Sequence, residues 1–442
     1  MLLPLLFSTP TTFSITTPKL ATTQAEMKRT ETKPPPLSDS QLLTEIQRRA
    51  FRFFWEQSDP VTGLTNDRAK NYESKDEITV ASIASTGYAL CSLPIAVQHH
   101  WIERKAAYDR VLLTLRYVKD RLPNEHGWYY HFIDKHTGQR VWNCELSSID
   151  TALLMMGVLT CGQYWKNTEV ERLATELSDR MDWGWMKTNG GTKPDKKLLS
   201  MGWKPETGFL NNDWDHYCEL MFLYLLGMGA KQNPLGADSW TAWKRNEVEY
   251  GGRKTLVGGP IFMHQMAQGF FDFKDSRDLL GWDYWAVSRE AIAMNRQYCV
   301  DRIGKRKTYA LDVWGLNASD GPDGYKAYGV LDDEDGTVSP TGAIAALLTD
   351  KKAALRAGQA IYNRHGLKLW GRYGYGNAFN VDRNWFDDEV IGIDLGMAIV
   401  GIENERTGLI WRLIGLHEGM KRAWKTAGFH QTKEKEPRLI HR

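Results

Sequence analysis

Four short segments of this sequence set carboxylic acids beside aromatic and amide side chains, the combination best equipped for acid–base chemistry. The first, Trp142-Asn143-Cys144-Glu145-Leu146-Ser147-Ser148-Ile149-Asp150-Thr151, opens an apolar run and sets Glu145 and Asp150 near its start. A purely structural reading is also open: Ser147 or Ser148 would cap a helix whose dipole the two acids satisfy. The second, Asn211-Asn212-Asp213-Trp214-Asp215-His216-Tyr217-Cys218-Glu219, leads into the greasy stretch Leu220–Leu226. A helix starting at Asp215 would carry Asp215 and Glu219 on nearly one face. A carboxyl at the mouth of such an apolar helix loses hydration, which raises its pKa toward the range a general acid needs. The competing reading is a capping Asp with a structural Glu.

The third segment runs from Trp314-Gly315-Leu316-Asn317 through Ser319-Asp320-Gly321-Pro322-Asp323-Gly324-Tyr325. Its Gly and Pro residues make a tight loop that could hold Trp314 and Asp320 over a cleft, although a plain surface turn has the same composition. The acidic run Asp332-Asp333-Glu334-Asp335 lacks the ligand spacing of a calcium loop and reads as a solvated loop. The fourth, Trp385-Phe386-Asp387-Asp388-Glu389, precedes Ile391-Gly392-Ile393-Asp394-Leu395-Gly396. Asp394 stands between apolar residues where a helix begins, and such an acid is costly to bury unless it is used, paired or capping. There is no HExxH, phosphate loop, dinucleotide fingerprint or GxSxG elbow, so no metal or cofactor is expected. Acids and aromatics without a cofactor motif point to glycoside chemistry, for which two carboxyls suffice.

Composition agrees. The 18 Trp and 18 Tyr suit wet clefts that grip ligands with an apolar face and a polar edge, as sugars have, though a large core could also use them. Lys plus Arg number 56 against 54 Asp plus Glu, a net charge of +2 that gives no case for nucleic acid or an anionic membrane surface. The expected partner is a neutral polymer. Cys91, Cys144, Cys161, Cys218 and Cys299 are widely spaced and odd in number, which suggests buried apolar thiols, with a single disulfide left open. Met1 to Phe7 resemble a damaged signal peptide, so export to the periplasm or outside is expected.

The elements that must position these acids are helical. Residues 1–37 read as a leader, 38–430 as one catalytic domain and 431–442 as a polar tail. The helix candidates are 38–57, 78–97, 103–121, 146–165, 170–181, 215–228, 239–248, 277–299, 341–348, 351–364, 391–404 and 409–417. In the fourth, Leu146, Ile149, Leu153 and Met156 recur at helical spacing. Strand alternation is scarce, with Gly127–Phe132 a local hairpin candidate. An all-α toroid of paired helices fits this run, with acids and Trp gathered at the helix N-termini on one mouth of the ring.

Ordered strings then carry a resemblance. Phe53-Phe54-Trp55-Glu56 with Gly63-Leu64 and Asp67-Arg68, Glu145 to Ala152, Asp215-His216-Tyr217 with Glu219, and Trp314-Gly315-Leu316 with Ser319-Asp320-Gly321 are joined by Ile393-Asp394 with Gly396, Ile402-Glu403-Asn404 and Thr407 to Trp411. In this the chain resembles the glucoamylase-like family that includes the endo-β-1,2-glucanases of glycoside hydrolase family 144. The resemblance implies an (α/α)6 toroid and inverting hydrolysis of β-1,2-glucan; endo rather than exo action and a monomeric state are expected. It implies Glu219 as acid and Asp394 as base, with Asp150 and Glu145 holding sugar hydroxyls or a water chain. Trp142, His216, Tyr217 and Trp314 would line subsites, with Asp215 and Asp320 as further binding residues. Cys218 and Leu395 depart from the Ser and Gln expected of the family, and Leu395 adjoins the base. Rival readings are a transglycosylase on the same glucan, a lyase using His216-Tyr217, and a non-catalytic glucan-binding protein.

Overall fold

The computed structural model describes residues 34–73 and 77–432. The expected leader therefore lies almost wholly outside the described residues, as does most of the tail. Its last residues are pinned to the body: the Tyr362 hydroxyl donates to the Pro35 carbonyl and the Gln359 amide to that of Leu37.

Helices dominate. They are α1 Asp39–Glu56, α2 Ile83–Gln98, α3 Arg104–Asp120, α4 Ser148–Tyr164, α5 Glu169–Asp179, α6 Trp183–Thr188, α7 Met221–Met228 and α8 Ala237–Ala242. Then follow α9 Met266–Phe270, α10 Tyr284–Val300, α11 Pro340–Ile344, α12 Lys351–Leu369, α13 Gly392–Arg406, α14 Leu409–Leu416 and α15 Glu418–Thr426. Helix α1 starts where the sequence places it, at a Ser38–Gln41 capping box. Helices α2, α4, α7 and α13 are apolar on nearly every side and buried on nearly every side, whereas α1, α5 and α15 each bury one stripe. That difference sorts them into inner and outer elements. Helix α2 packs on α4, α4 on α7, α7 on α9, α9 on α13 and α13 back on α2. Around them α1 backs α2 and α13, α5 backs α4, α15 backs α7, and α12 backs α11. The α2–α4 crossing depends on Gly87 and Gly157, since a Cβ on either would overlap the backbone of the facing helix.

Short antiparallel strand pairs tie the N-terminal ends of the inner helices together. Val80–Ser82 runs into α2 and pairs with Phe132–Asp134; Leu146–Ser147 runs into α4 and pairs with Gly202–Lys204. Glu389–Ile391 runs into α13 and pairs with Arg68–Lys70. Strands of two or three residues leave no alternation to read, so only the hairpin Asn124–Glu125 with Trp128–Tyr129 overlaps a sequence expectation.

Several boundaries differ from expectation for local reasons. The helix expected from Asp215 begins only at Met221, because the backbone at 215–217 bonds sideways: Tyr217 N–H donates to the Lys244 carbonyl and Lys244 N–H to that of Asp215. Helix α10 begins at Tyr284 rather than near Arg277, because the Asp278 carboxylate accepts from the Leu280 and Trp282 amides and turns the chain before Asp283 caps the helix. Helices α6, α9 and α15 were not expected. The acidic run at 332–335 is less solvated than expected, with Glu334 accepting from Arg306 at 2.9 Å and Tyr309 at 2.7 Å. All five cysteines are free thiols, and four are buried.

Candidate active site

Asp394 lies in the first turn of α13 and is buried, 3% exposed. One carboxylate oxygen accepts from the Asn377 amide at 2.5 Å and the other from the Asn317 amide at 3.4 Å. Burial, with Asp320 and Asp67 nearby, pushes its pKa up to about 7, while Asn377 and Arg68 act against the rise. Asn377 has a second contact: its carbonyl oxygen accepts from the Asp320 N–H at 2.8 Å, so one amide spaces Asp394 from the 319–321 loop.

Glu219 sits in the turn just before α7. It keeps some exposure yet is closely surrounded by protein, as a residue at the floor of a cleft would be. Burial and the charge of Asp150 push its pKa up to about 7. Asp150 is in the first turn of α4, where Ser147 donates its hydroxyl at 2.5 Å. Ser147 is the N-cap, as the capping reading of this segment expects, and Asp150 still reaches other acids. His131 bridges two of the predicted residues, with Nδ1 3.0 Å from Glu145 Oε1 and Nε2 3.5 Å from Asp150 Oδ2.

The halves join through Asp67. Its carboxyl is raised first by burial and then by Asp150, against the pull of Arg68 and His131, and its own charge reaches Asp394. Arg68 ties this acid to the far wall, 3.1 Å from Asp320 and 2.9 Å from Glu389. Behind Asp320, burial and the neighbouring Asp320 and Glu389 charges drive the pKa of Asp387 well up. Tyr325 is 58% exposed and near enough to feel Asp394, Asp67 and Asp320. The arrangement is two near-neutral carboxyls linked by a chain of acids with few cations between them. It can protonate one oxygen and take a proton from another without a metal.

Glu219, Asp394, Asp150, Glu145 and Asp320 are thus brought into one network. Asp215 and His216 are more exposed and pair with each other at 2.7 Å, with Lys244 3.7 Å from Asp215. Trp142 stands 70% exposed on two successive left-handed residues, Trp142 and Asn143, edge-on to Phe132. Two subsite expectations are corrected. Trp314 is completely buried among core side chains, where no ligand reaches it. Tyr217 is 2% exposed, its hydroxyl 3.2 Å from His264 and its ring stacked on Tyr284, so it supports the floor rather than lining it. His131, Asn377 and Asp387 received no role from sequence. Asp67-Arg68 was singled out only as a matching string, and the strand pairing that delivers it joins residues 68–70 to 389–391, far apart in sequence.

Residues 211–418 match the model of the Glycoamylase family, described as "Putative glucoamylase". An exo-β-1,2-glucooligosaccharide sophorohydrolase (non-reducing end) of Parabacteroides distasonis is 28% identical over 88% of this chain, which spans 58% of that relative's length. A solved "putative glucoamylase" of Bacteroides uniformis superposes with a TM-score of 0.82 at 27% identity, covering 90% of this chain and 99% of the other. The solved endo-β-1,2-glucanase of Chitinophaga pinensis gives 0.82 at 23% identity, with coverage of 90% and 99%. The chain is therefore similar to the glucoamylase-like family through residues 211–418, and over its described body it shares the fold of both of these solved proteins.

Proposed function

We propose that the chain is a glycoside hydrolase that cleaves β-1,2-glucan to short β-1,2-glucooligosaccharides with inversion, Glu219 acting as acid and Asp394 as base. The observation that carries this reading is the pair of carboxyls, each raised to about 7 by burial, at the two ends of one acid network. Their surroundings favour different protonation states. Asp150 opposes ionisation of Glu219, whereas the Asn377 and Asn317 amides donate to the ionised form of Asp394. In the proposed reaction Glu219 gives its proton to the glycosidic oxygen as the C1–O bond breaks. Water attacks C1 from the other face and passes a proton to Asp394, which inverts the anomeric centre. Asp150, Glu145 and Asp320 would receive sugar hydroxyls, with Trp142, Tyr325 and His216 at the more exposed positions.

The five-helix inner ring, with α11 packed on α13 as a sixth inner element, and the outer helices behind them support an (α/α)6 toroid as the architecture, with 38–430 a single catalytic domain. Internal cleavage is the proposed mode, in line with the endo-acting Chitinophaga pinensis protein, which is covered over 99% of its chain. The named activity of the Parabacteroides distasonis relative makes exo attack the second reading. Export and a monomeric state are proposed from the sequence; among the described residues no helix is long and apolar enough to cross a membrane.

Incubation with linear β-1,2-glucan tests the reading. New reducing ends with a ladder of short oligosaccharides support endo hydrolysis, and a single disaccharide product supports exo attack. Reshuffled oligomers without new ends would point to glycosyl transfer, and an unchanged polymer would remove the substrate assignment. Glu219→Gln and Asp394→Asn should each lower turnover at least ~100-fold, about 3 kcal/mol of transition-state stabilisation. Near-native activity in either variant would overturn that residue's role.

A further inference from the structure

His131 is a side chain of this network to which the proposed reaction gives no role. Its backbone is fixed twice, by its N–H to the Glu145 carbonyl at 3.0 Å and by its carbonyl from the Ile83 N–H at 3.2 Å. Its ring lies stacked on Phe132, centroids 3.8 Å apart. Both ring nitrogens then face carboxylates, Glu145 on one side and Asp150 on the other. Nδ1 hydrogen-bonds to Glu145 while Nε2 stands at ion-pair distance from Asp150, and an imidazolium presents an N–H toward each.

We propose that His131 is a positioning residue for the acid half of the site: clamped as an imidazolium between Glu145 and Asp150, it offsets Asp150's charge and so limits how firmly Asp150 holds the proton on Glu219. This rests on the assignment of Glu219 as the acid.

Other charged groups bear on the clamp. Asp67 faces His131 from the segment before the Arg68–Lys70 strand and is itself countered by Arg68 and by the Ser82 hydroxyl. Lys204, from the strand paired with Leu146–Ser147, acts on Glu145. Burial alone would lower the His131 pKa, but Asp150, Glu145 and Asp67 together raise it to about 9, so the ring stays cationic while Glu219 titrates. Asp150 is also held in place at the first turn of α4, where it accepts from the Ser147 hydroxyl. Removing the imidazolium therefore takes away a cation beside Asp150, and Glu219 should hold its proton to higher pH.

The test has an arm that needs no substrate. In the native protein, ring signals identified by their loss in His131→Gln should titrate by NMR near the raised value, and Asp150→Asn should move that midpoint down. A midpoint at the ordinary histidine value of about 6.5 would overturn the proposal whatever the enzyme's activity. The second arm is the alkaline limb of kcat/KM on β-1,2-glucan. His131→Gln should move it up by about one pH unit, and should no longer move it in an Asp150→Asn background. An unmoved limb, with turnover lowered equally at every pH, would mean a merely structural histidine. If the native protein does not turn over the glucan at all, the functional reading fails while the NMR arm still decides the clamp.

Discussion

Glu219 shows at the scale of one residue how a site of this kind works against the fold that holds it. A carboxyl whose pKa rises from 4.5 to about 7 on folding stabilises the native state fully only below its unfolded value. That contribution disappears as pH climbs through 7, because the buried group must then ionise beside Asp150. Gln cannot ionise, so Glu219→Gln should be less active yet more stable than the native protein at about pH 8, by roughly 2 kcal/mol, with the gap closing toward about pH 5. Thermal melts of both proteins at the two pH values check the sign; a gap that is equal at both would mean that ionisation of Glu219 is not the cause. Asp394 faces a different case, since its two amide donors would be left facing another amide in an Asn variant. Trp314 and Tyr217 carry the opposite lesson. Both stand in motifs that resemble the family, and both are buried, because an aromatic next to a site is as useful for shaping the wall from behind as for touching the ligand.

At the scale of elements, the acids are delivered by helix starts. Asp150 and Asp394 each occupy the first turn of an inner helix, entered from a short strand that fixes its angle. There the helix dipole and the free amide groups favour an anion, which offsets part of the cost of burial. The placement depends on how closely α2 and α4 approach. Gly157 faces the Gly87 carbonyl with no room for a methyl group, and its neighbour is backbone, which cannot swing aside. Gly157→Ala should therefore cost about 3 kcal/mol and push α4 outward, lowering both the melting temperature and turnover. A variant with unchanged melting temperature would show that the crossing has slack. The sequence made α4 and α13 legible, because their length and apolar content are strong signals. It did not reveal that Asp215–Leu220 is irregular, since the bonds to Lys244 that hold it come from a segment with no matching pattern.

At the scale of the whole molecule, the core divides into two clusters of buried side chains that share elements. Helix α1 places Leu42, Leu43 and Ile46 in one and Phe51, Phe53 and Phe54 in the other, and α13 likewise places Ala398 and Ile402 in one and Ile399 and Val400 in the other. Neither cluster can be lost without unpacking helices that the other needs. Calorimetry should accordingly show one cooperative transition for the described body, with calorimetric and van't Hoff enthalpies in agreement; two resolved peaks would mean that the clusters are separate folding units.

What the sequence determined by itself was local: most of the long helices, the Ser38 cap of α1, and which acids stand against apolar neighbours at helix starts. Those depend on contacts within a few residues, and side-chain type and spacing record them. The tertiary structure decided what no local pattern encodes. It set His131 between Glu145 and Asp150, brought Asp67 and Arg68 across from Glu389, and turned Asn377 onto Asp394. The reason is that raising a carboxyl toward neutral pH takes burial and neighbouring charge together, and both are properties of groups that meet only when distant segments of the chain pack.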